Sequence, residues 1–322
     1  MVRNRNVSVM DYNVYLGANL NLILQTTRAQ LPPLATELLQ QFLANNFPLR
    51  ARSIAQEIKK TSPDLIGLQE MSRVELIPFI GTSAPRVTYD FLTILLRALR
   101  QQGLNYRPIA VGNNFSGRSL STTGYLIRTL DRNVILARVN APFTYSNVQN
   151  NTFSTNLVTT VGGQRTVVNL GWSSVDVRAY GTVFRFVNTR LQSSAAAAPI
   201  RMAQATQLIQ SLNRRAIPTI LVGDFKSDAN INAPTYRQFL QAGYTDAWRV
   251  GGRGVGNTCC QNFNLLNTQS TLSQRVDYIL YRPRRRLNLL GIGRVGISQR
   301  SRTPPLWPSL YAGLVARFRL TP

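Results

Sequence analysis

The order of strand-like and helix-like segments is the strongest constraint on what this chain can fold into. Apolar or alternating runs recur as VSVMDYNV (7–14), DLIGLQE (64–70), YRPIAV (106–111), NVILARV (133–139) and RTVVNLG (165–171). They continue as SSVDVRAY (173–180), TVFRFVNT (182–189), TILVGDF (219–225), VDYILYR (276–282) and GLVARFRL (313–320). Their β-branched content and alternation are those of strands buried on one or both faces. Helical spacing lies between them: Ala51, Ile54 and Ile58 within 48–61, Phe91, Leu92, Ile94, Leu95 and Leu99 within 90–101, and Ile200, Ala203, Leu208 and Ile209 within 198–212. Helices thus alternate with strands early and late, whereas 130–190 reads as consecutive strands. That mixture predicts an α/β sandwich, two sheets packed face to face with helices outside.

No repeat at a solenoid period appears, and no stretch rich in Pro, Gly or Ser is long enough to cut the chain, so 1–322 is expected to fold as one domain. An apolar fraction of 44% is enough to bury a core and excludes disorder and collagen-like repeats. No apolar run reaches the ~18 residues of a membrane span, and the N-terminus enters a strand without a signal-peptide core. The expectation is a soluble chain, cytoplasmic or secreted with its leader removed.

Charge narrows the chemistry. Lys+Arg number 37 against 13 Asp+Glu, a formal +24, and every cation except Lys59, Lys60 and Lys226 is arginine. Guanidinium favours planar, bidentate contact with phosphate, so nucleic acid or another phosphate-bearing polyanion is the natural partner. The densest run, Arg282, Arg284, Arg285 and Arg286, also suits a hairpin tip or loop rim. With no histidine and only Cys259 and Cys260, Cys/His zinc sites cannot be written, and any metal must sit on oxygen ligands. Adjacent cysteines read as two ordinary loop thiols, with a strained vicinal disulfide as the rarer alternative.

Several strands end in a polar residue that a half-buried strand does not need: Asn13, Glu70, Asn188 and Arg190, Asp224 followed by Asp228, and Asp277. Each alone is an ordinary loop-side cap. In this order, from YNVYLGA through QE, NTRL, GDFK and VDYI to the terminal WPSLYAGLVARF, they make the chain resemble the endonuclease/exonuclease/phosphatase superfamily, the DNase I-like fold, over nearly its whole length. The resemblance implies a four-layer α/β sandwich of two packed mixed sheets flanked by helices. It also implies phosphate-ester cleavage with Mg²⁺, or Mn²⁺ or Ca²⁺ in its place. Glu70 would be the principal metal ligand, Asn13 would contact phosphate or metal, and Asp224 would orient or activate the attacking water. Asp277 would hold the family's terminal histidine, and Asn188 and Arg190 would face the substrate phosphate. A lone glutamate suffices for Mg²⁺, which keeps several of its waters.

The chain departs from the family pattern at the remaining catalytic positions. The histidine of NTHL is Arg190, the asparagine of GDFN is Lys226, and SDH reads Ser309, Leu310 and Tyr311. Guanidinium does not deprotonate in proteins, leucine can neither ligate nor orient, and a tyrosine with a reference pKa of about 10 is a poor base near neutrality. Lys226 adds positive charge where a cation should bind. Two functions follow: a metal-dependent phosphodiesterase attacking phosphorus in line with a metal-positioned water, or an inactive pseudo-nuclease that binds nucleic acid or assembles through the same fold.

Overall fold

A computed structural model describes residues 5–79, 85–193, 195–214, 216–283, 285–298 and 304–321. Strands β1 (Asn6–Asn13), β2 (Leu65–Gln69), β3 (Arg73–Pro78), β4 (Val87–Asp90), β5 (Tyr106–Leu120) and β6 (Tyr125–Arg138) precede β7 (Phe143–Thr152), β8 (Leu157–Val161), β9 (Gln164–Val168) and β10 (Gly171–Ala179). The chain continues through β11 (Thr182–Arg190), β12 (Thr219–Asp224), β13 (Thr245–Asp246), β14 (Asp277–Arg282), β15 (Leu287–Val295) and β16 (Gly313–Leu320). The helices are α1 (Leu31–Ala44), α2 (Phe47–Thr61), α3 (Phe91–Gln101), α4 (Ala198–Asn213), α5 (Pro234–Gln241) and α6 (Ala247–Gly251).

One sheet runs β15-β16-β1-β2-β6-β3-β4 with β5 paired to β6; the other runs β13-β14-β12-β11-β10-β7. Both are mixed: β1 pairs parallel with β2 and antiparallel with β16, and β12 pairs parallel with β11 and antiparallel with β14. The four-layer α/β sandwich expected from the sequence is the architecture observed.

Strand periodicity explains the layers, because successive side chains face opposite sides. From β1, Val7 and Val9 point between the sheets, where they meet Leu65, Ile135, Phe184, Phe186, Ile220, Val222, Ile279 and Phe318. Their neighbours Met10 and Tyr12 point outward against α1, α2 and α3, onto Phe42, Ile54, Ile58 and Phe91. The second sheet does the same with Leu221, Tyr278 and Leu280 against Leu208 and Leu212 of α4 and Tyr236 and Phe239 of α5. The sheets approach closely at one place. A Cβ on Gly67 would lie 2.4 Å from Val222 Cγ2, so glycine there sets the intersheet distance.

The helix with apolar residues at 51, 54 and 58 is α2, capped at its start by Asn46 and carrying Lys59 and Lys60 in its last turn, where cations suit the dipole. Helix α1 carries Pro32 and Pro33 in its first turn, where proline is tolerated, and its pattern is obscured in the sequence for that reason. The segment 165–171 is not one strand: β9 closes a small separate hairpin with β8, and β10 starts at Gly171. The arginine run lies in the connection from β14 to β15, between the sheets rather than at a hairpin tip; Arg284 is outside the described residues. Cys259 and Cys260 are joined as a disulfide rather than free thiols. Among the described residues no helix is long and apolar enough to cross a membrane.

Candidate phosphate site at the strand ends

The inward rows that build the core turn polar at one end. On β1, Val7 and Val9 give way to Asp11 and Asn13; on β2, Leu65 and Gly67 to Gln69; on β11, Phe184 and Phe186 to Asn188 and Arg190. On β12, Ile220 and Val222 give way to Asp224, which sits across from Asp277 on β14. A period of two thus delivers all these polar groups to one edge of the sandwich.

Asn13 is the hub, donating from Nδ2 to Glu70 Oε1 at 3.1 Å and to Asp224 Oδ2 at 2.8 Å, which brings both carboxylates to one amide. Its Oδ1 accepts from the Tyr15 amide at 2.9 Å, and the Leu16 amide donates to Glu70 Oε2 at 2.8 Å. Arg190 lies on Glu70 at 2.9 Å and on Asp131 at 3.3 Å, bridging two acids. Lys226 Nζ is 2.6 Å from Asp224 Oδ2, hydrogen-bonds the Tyr311 hydroxyl and stands 4.3 Å from the Tyr311 ring centroid. The Lys226 amide donates to Asp224 Oδ1 at 3.2 Å. Arg190, Lys226, Glu70, Asp131, Leu310 and Tyr311 line a common cavity of about 130 Å³.

The backbone is shaped for this convergence. Tyr15, Glu70 and Lys226, each just past a strand, have φ of 59°, 57° and 51°, the left-handed region that L-residues other than Gly, Asn and Asp avoid. Non-glycine residues in this region cluster where surrounding contacts over-determine them, often at functional sites. Gly223 serves the same end: with φ of 154°, a Cβ there would meet Thr189 O at 2.2 Å, so only glycine lets β12 lie this close to β11 before Asp224.

Electrostatics sorts the acids. Burial works to raise Glu70, but Arg190 and then Lys226, helped by the Leu16 amide and Asn13, hold it below the ordinary carboxylate range. Asp131 is raised, because burial outweighs the same Arg190 and the charge on Glu70 adds to it. Asp277 is pushed well above its ordinary value by burial and then by the charges of Asp224 and Asp11. Asp11 is also pushed well up by burial, with Gln69 opposing and Asp224 adding. Burial lowers Lys226, yet Asp224 more than reverses it, so the ammonium stays charged. Burial raises the Tyr311 hydroxyl despite Lys226, leaving a neutral phenol that can donate but not act as a base.

Of the residues singled out in the sequence, Asn13, Glu70, Asp224, Arg190, Lys226 and Tyr311 meet through direct contacts. Asn188 is elsewhere: fully buried between the sheets, it donates to the carbonyls of Leu68 and Val134 at 2.9 and 3.0 Å and accepts from Gln69 at 2.7 Å, so it joins the layers. Asp277 is buried behind the cavity; its backbone amide donates to Thr258 Oγ1 at 3.1 Å, and its carboxylate makes no hydrogen bond to the residue at 311. Asp228 receives the amides of Asn230 and Arg275 and shapes the following loop.

Two residues of the site were missed. Asp131 lies within β6, two residues before the segment read as NVILARV, and gave only the signal of an acid ahead of an apolar run; Asn114 donates to it at 3.0 Å. Arg50, on the buried face of α2, donates to the carbonyls of Asn45, Val14, Tyr15 and Pro308 at 2.7 to 3.0 Å, binding the segment after β1 to the one before Tyr311. Burial, the first cause, lowers its pKa to about 10. Ser309 completes the tie by donating to Asn13 O at 2.7 Å.

A divalent cation at Glu70 does not fit this arrangement. Both Glu70 oxygens and both Asp224 oxygens are engaged by donors of the chain, Arg190 and Lys226 among them. Among the described residues no group of three or more His, Cys, Asp or Glu is placed to hold a metal ion. The Mg²⁺ expected from the resemblance would have to displace two of the chain's own cations.

No family model and no curated protein sequence matches the chain. Solved structures do. An endonuclease/exonuclease/phosphatase family protein from Bacteroides thetaiotaomicron is 18% identical, covers 98% of each chain and has a TM-score of 0.64. A mannosyl-6-phosphatase from the same organism is 18% identical over 97% of this chain and 99% of its own, with a TM-score of 0.64. The human Nocturnin catalytic domain with bound sulfate is 16% identical over 99% and 96%, with a TM-score of 0.55.

Proposed function

We propose that this chain, which has the endonuclease/exonuclease/phosphatase (DNase I-like) fold, binds phosphate esters at the strand-end cavity through Arg190 and Lys226, without a divalent metal. The observation that supports this reading is the position of the two cations: Arg190 on Glu70 at 2.9 Å and Lys226 on Asp224 at 2.6 Å, each against a carboxylate that a metal would need.

Their side chains are 19% and 10% exposed, enough to face a ligand and shielded enough for a charge-assisted hydrogen bond to be strong. Neither side chain is saturated. Arg190 Nε is buried without an acceptor, and the Lys226 ammonium has a donor beyond those used on Asp224 and Tyr311. A phosphate placed between them can accept from both and from the Tyr311 hydroxyl. Hydrolysis is a different matter: Tyr311 is a neutral phenol, Glu70 is held ionised by its cations, Asp224 is engaged at both oxygens, and Asp131 is taken up by Arg190 and Asn114.

A second reading is a metal-dependent phosphodiesterase, favoured by the retained Asn13–Glu70–Asp224 arrangement. In it, a divalent cation would supply charge stabilisation and a polarised water on displacing Arg190 and Lys226.

Calorimetry with methyl phosphate in EDTA, beside plasmid nicking with Mg²⁺, Mn²⁺ and Ca²⁺, separates the two. Binding in EDTA should fall roughly 10- to 100-fold in Arg190→Gln, from loss of a charged hydrogen bond of about 1.5 to 3 kcal/mol, with no nicking under any metal. Nicking that EDTA abolishes and Mg²⁺ restores would establish the second reading and overturn the first.

A further inference from the structure

Beside the 130 Å³ phosphate cavity runs a groove of about 770 Å³, and the two share the walls Leu16, Leu20, Ile23, Phe115 and Val161. One side of the groove is α1, contributing Leu31, Leu38 and Leu39; the other is the β5–β6 hairpin, contributing Leu126 and Ile127. Part of its wall comes from the β8–β9 hairpin, fixed to the segment after Leu20 by main-chain hydrogen bonds from the Gln25 amide to Thr160 O (2.7 Å) and from the Gly163 amide to Thr26 O (2.9 Å). Arg28 and Arg118, both exposed, supply its charged lining.

We propose that the ligand of the strand-end site is an amphiphile, a phosphate ester whose apolar chain lies in this groove while its phosphate meets Arg190 and Lys226. The inference rests on the phosphate-binding reading and adds the class of ligand. Three observations carry it. The groove is continuous with the phosphate cavity, so a single molecule can reach both. Its volume lies in the range of small-molecule ligand sites, roughly 300 to 1,000 Å³, well beyond what a phosphate needs. Its apolar lining is largely aliphatic: the aromatic rings along it are Phe115 and Phe42, and Phe42 is buried in the core, so the groove lacks the succession of faces on which nucleic-acid bases stack. An aliphatic chain needs no polar partner there and gains from leaving water.

The test is a chain-length series of alkyl phosphate monoesters, methyl, butyl and octyl, each below its micellar concentration, titrated in EDTA. Affinity should rise about two- to fourfold per methylene while the chain lies in the groove. Leu31→Asp places a carboxylate in the groove at the first turn of α1, where the helix dipole tolerates it. It should cut the octyl-over-methyl advantage at least tenfold and leave methyl phosphate binding unchanged. Leu126→Asn, on the opposite wall and outside the main core clusters, should do the same, and thermal melts establish that either variant is folded.

A flat series with methyl phosphate still lost in Arg190→Gln would overturn the amphiphile proposal and leave the phosphate site standing. Octyl phosphate binding that ignores Arg190→Gln, or that 1-octanol matches, would overturn both. Displacement of methyl phosphate by a single-stranded oligonucleotide at concentrations where octyl phosphate fails would overturn the proposal in favour of nucleic acid.

Discussion

At the scale of single residues, the cavity is a set of buried charges arranged in pairs, with two acids behind it left in surroundings that favour their neutral form. Removing one member of a buried pair is costly, because the other remains desolvated and uncompensated. Asp277 behaves oppositely. Its folded pKa lies well above its ordinary value, through burial first and the charges of Asp224 and Asp11 second. The folded state therefore holds the proton more tightly than the unfolded state does. Stability from this group is fully present below the unfolded aspartate value of about 3.9 and is lost as pH rises through the raised folded value. Asp277→Asn should leave the melting temperature nearly unchanged at pH 4 and raise it at pH 8, by the equivalent of about 1 to 3 kcal/mol. Chemical denaturation at the two pH values checks this, and an equal or negative effect at pH 8 would show that Asp277 is held as an anion.

At the scale of elements, the cavity depends on how closely the two sheets approach and where each strand stops. Gly67 and Asn188 set that approach together: a Cβ at 67 would lie 2.4 Å from Val222 and 3.1 Å from the Asn188 side chain, which itself bridges to Leu68 and Val134. Gly67→Ala should overpack the intersheet layer and destabilise the protein by about 1 to 3 kcal/mol. Because β2 carries Glu70 at its end, the same change should weaken methyl phosphate binding in folded protein. Urea unfolding and calorimetry on the one variant read both effects.

At the scale of the molecule, the charge is distributed unevenly in depth. Asp11, Glu57, Asp64, Glu70, Asp131, Asp176, Asp224, Asp246 and Asp277, nine of the 13 acids, are buried. Arginines such as Arg317 and Arg319 alternate outward on β16 while Ala316, Phe318 and Leu320 face the core. The exterior is therefore more cationic than +24 spread evenly would make it, and duplex DNA should adhere to it without sequence preference. Each neutralised phosphate adds about 0.9 to the slope of log affinity against log salt, so several contacts remove orders of magnitude between roughly 50 and 200 mM salt. This adhesion should persist in Arg190→Gln, whose effect is confined to the cavity; a marked loss in that variant would place the polyanion in the cavity instead.

The layered architecture and the polar strand ends were legible in the sequence because both follow from local rules. A period of two assigns each strand residue to a face, and a polar residue closing an apolar inward row stands out without knowledge of its partners; Asn13, Glu70, Asp224 and Arg190 were found this way. What these groups do to one another was not legible. That Arg190 reaches Glu70 and Asp131, and that Lys226 reaches Tyr311, depends on contacts between distant parts of the chain and on backbone turns at Tyr15, Glu70 and Lys226 that their residue types disfavour. Asn188 looked like a phosphate contact from its place in the order of motifs, and only the packing of two sheets turned its amide onto backbone carbonyls. The apolar groove was likewise out of reach, since it exists only where α1, the β5–β6 hairpin and the β8–β9 hairpin come together. Periodicity decides which face a side chain takes; long-range packing decides what it meets there.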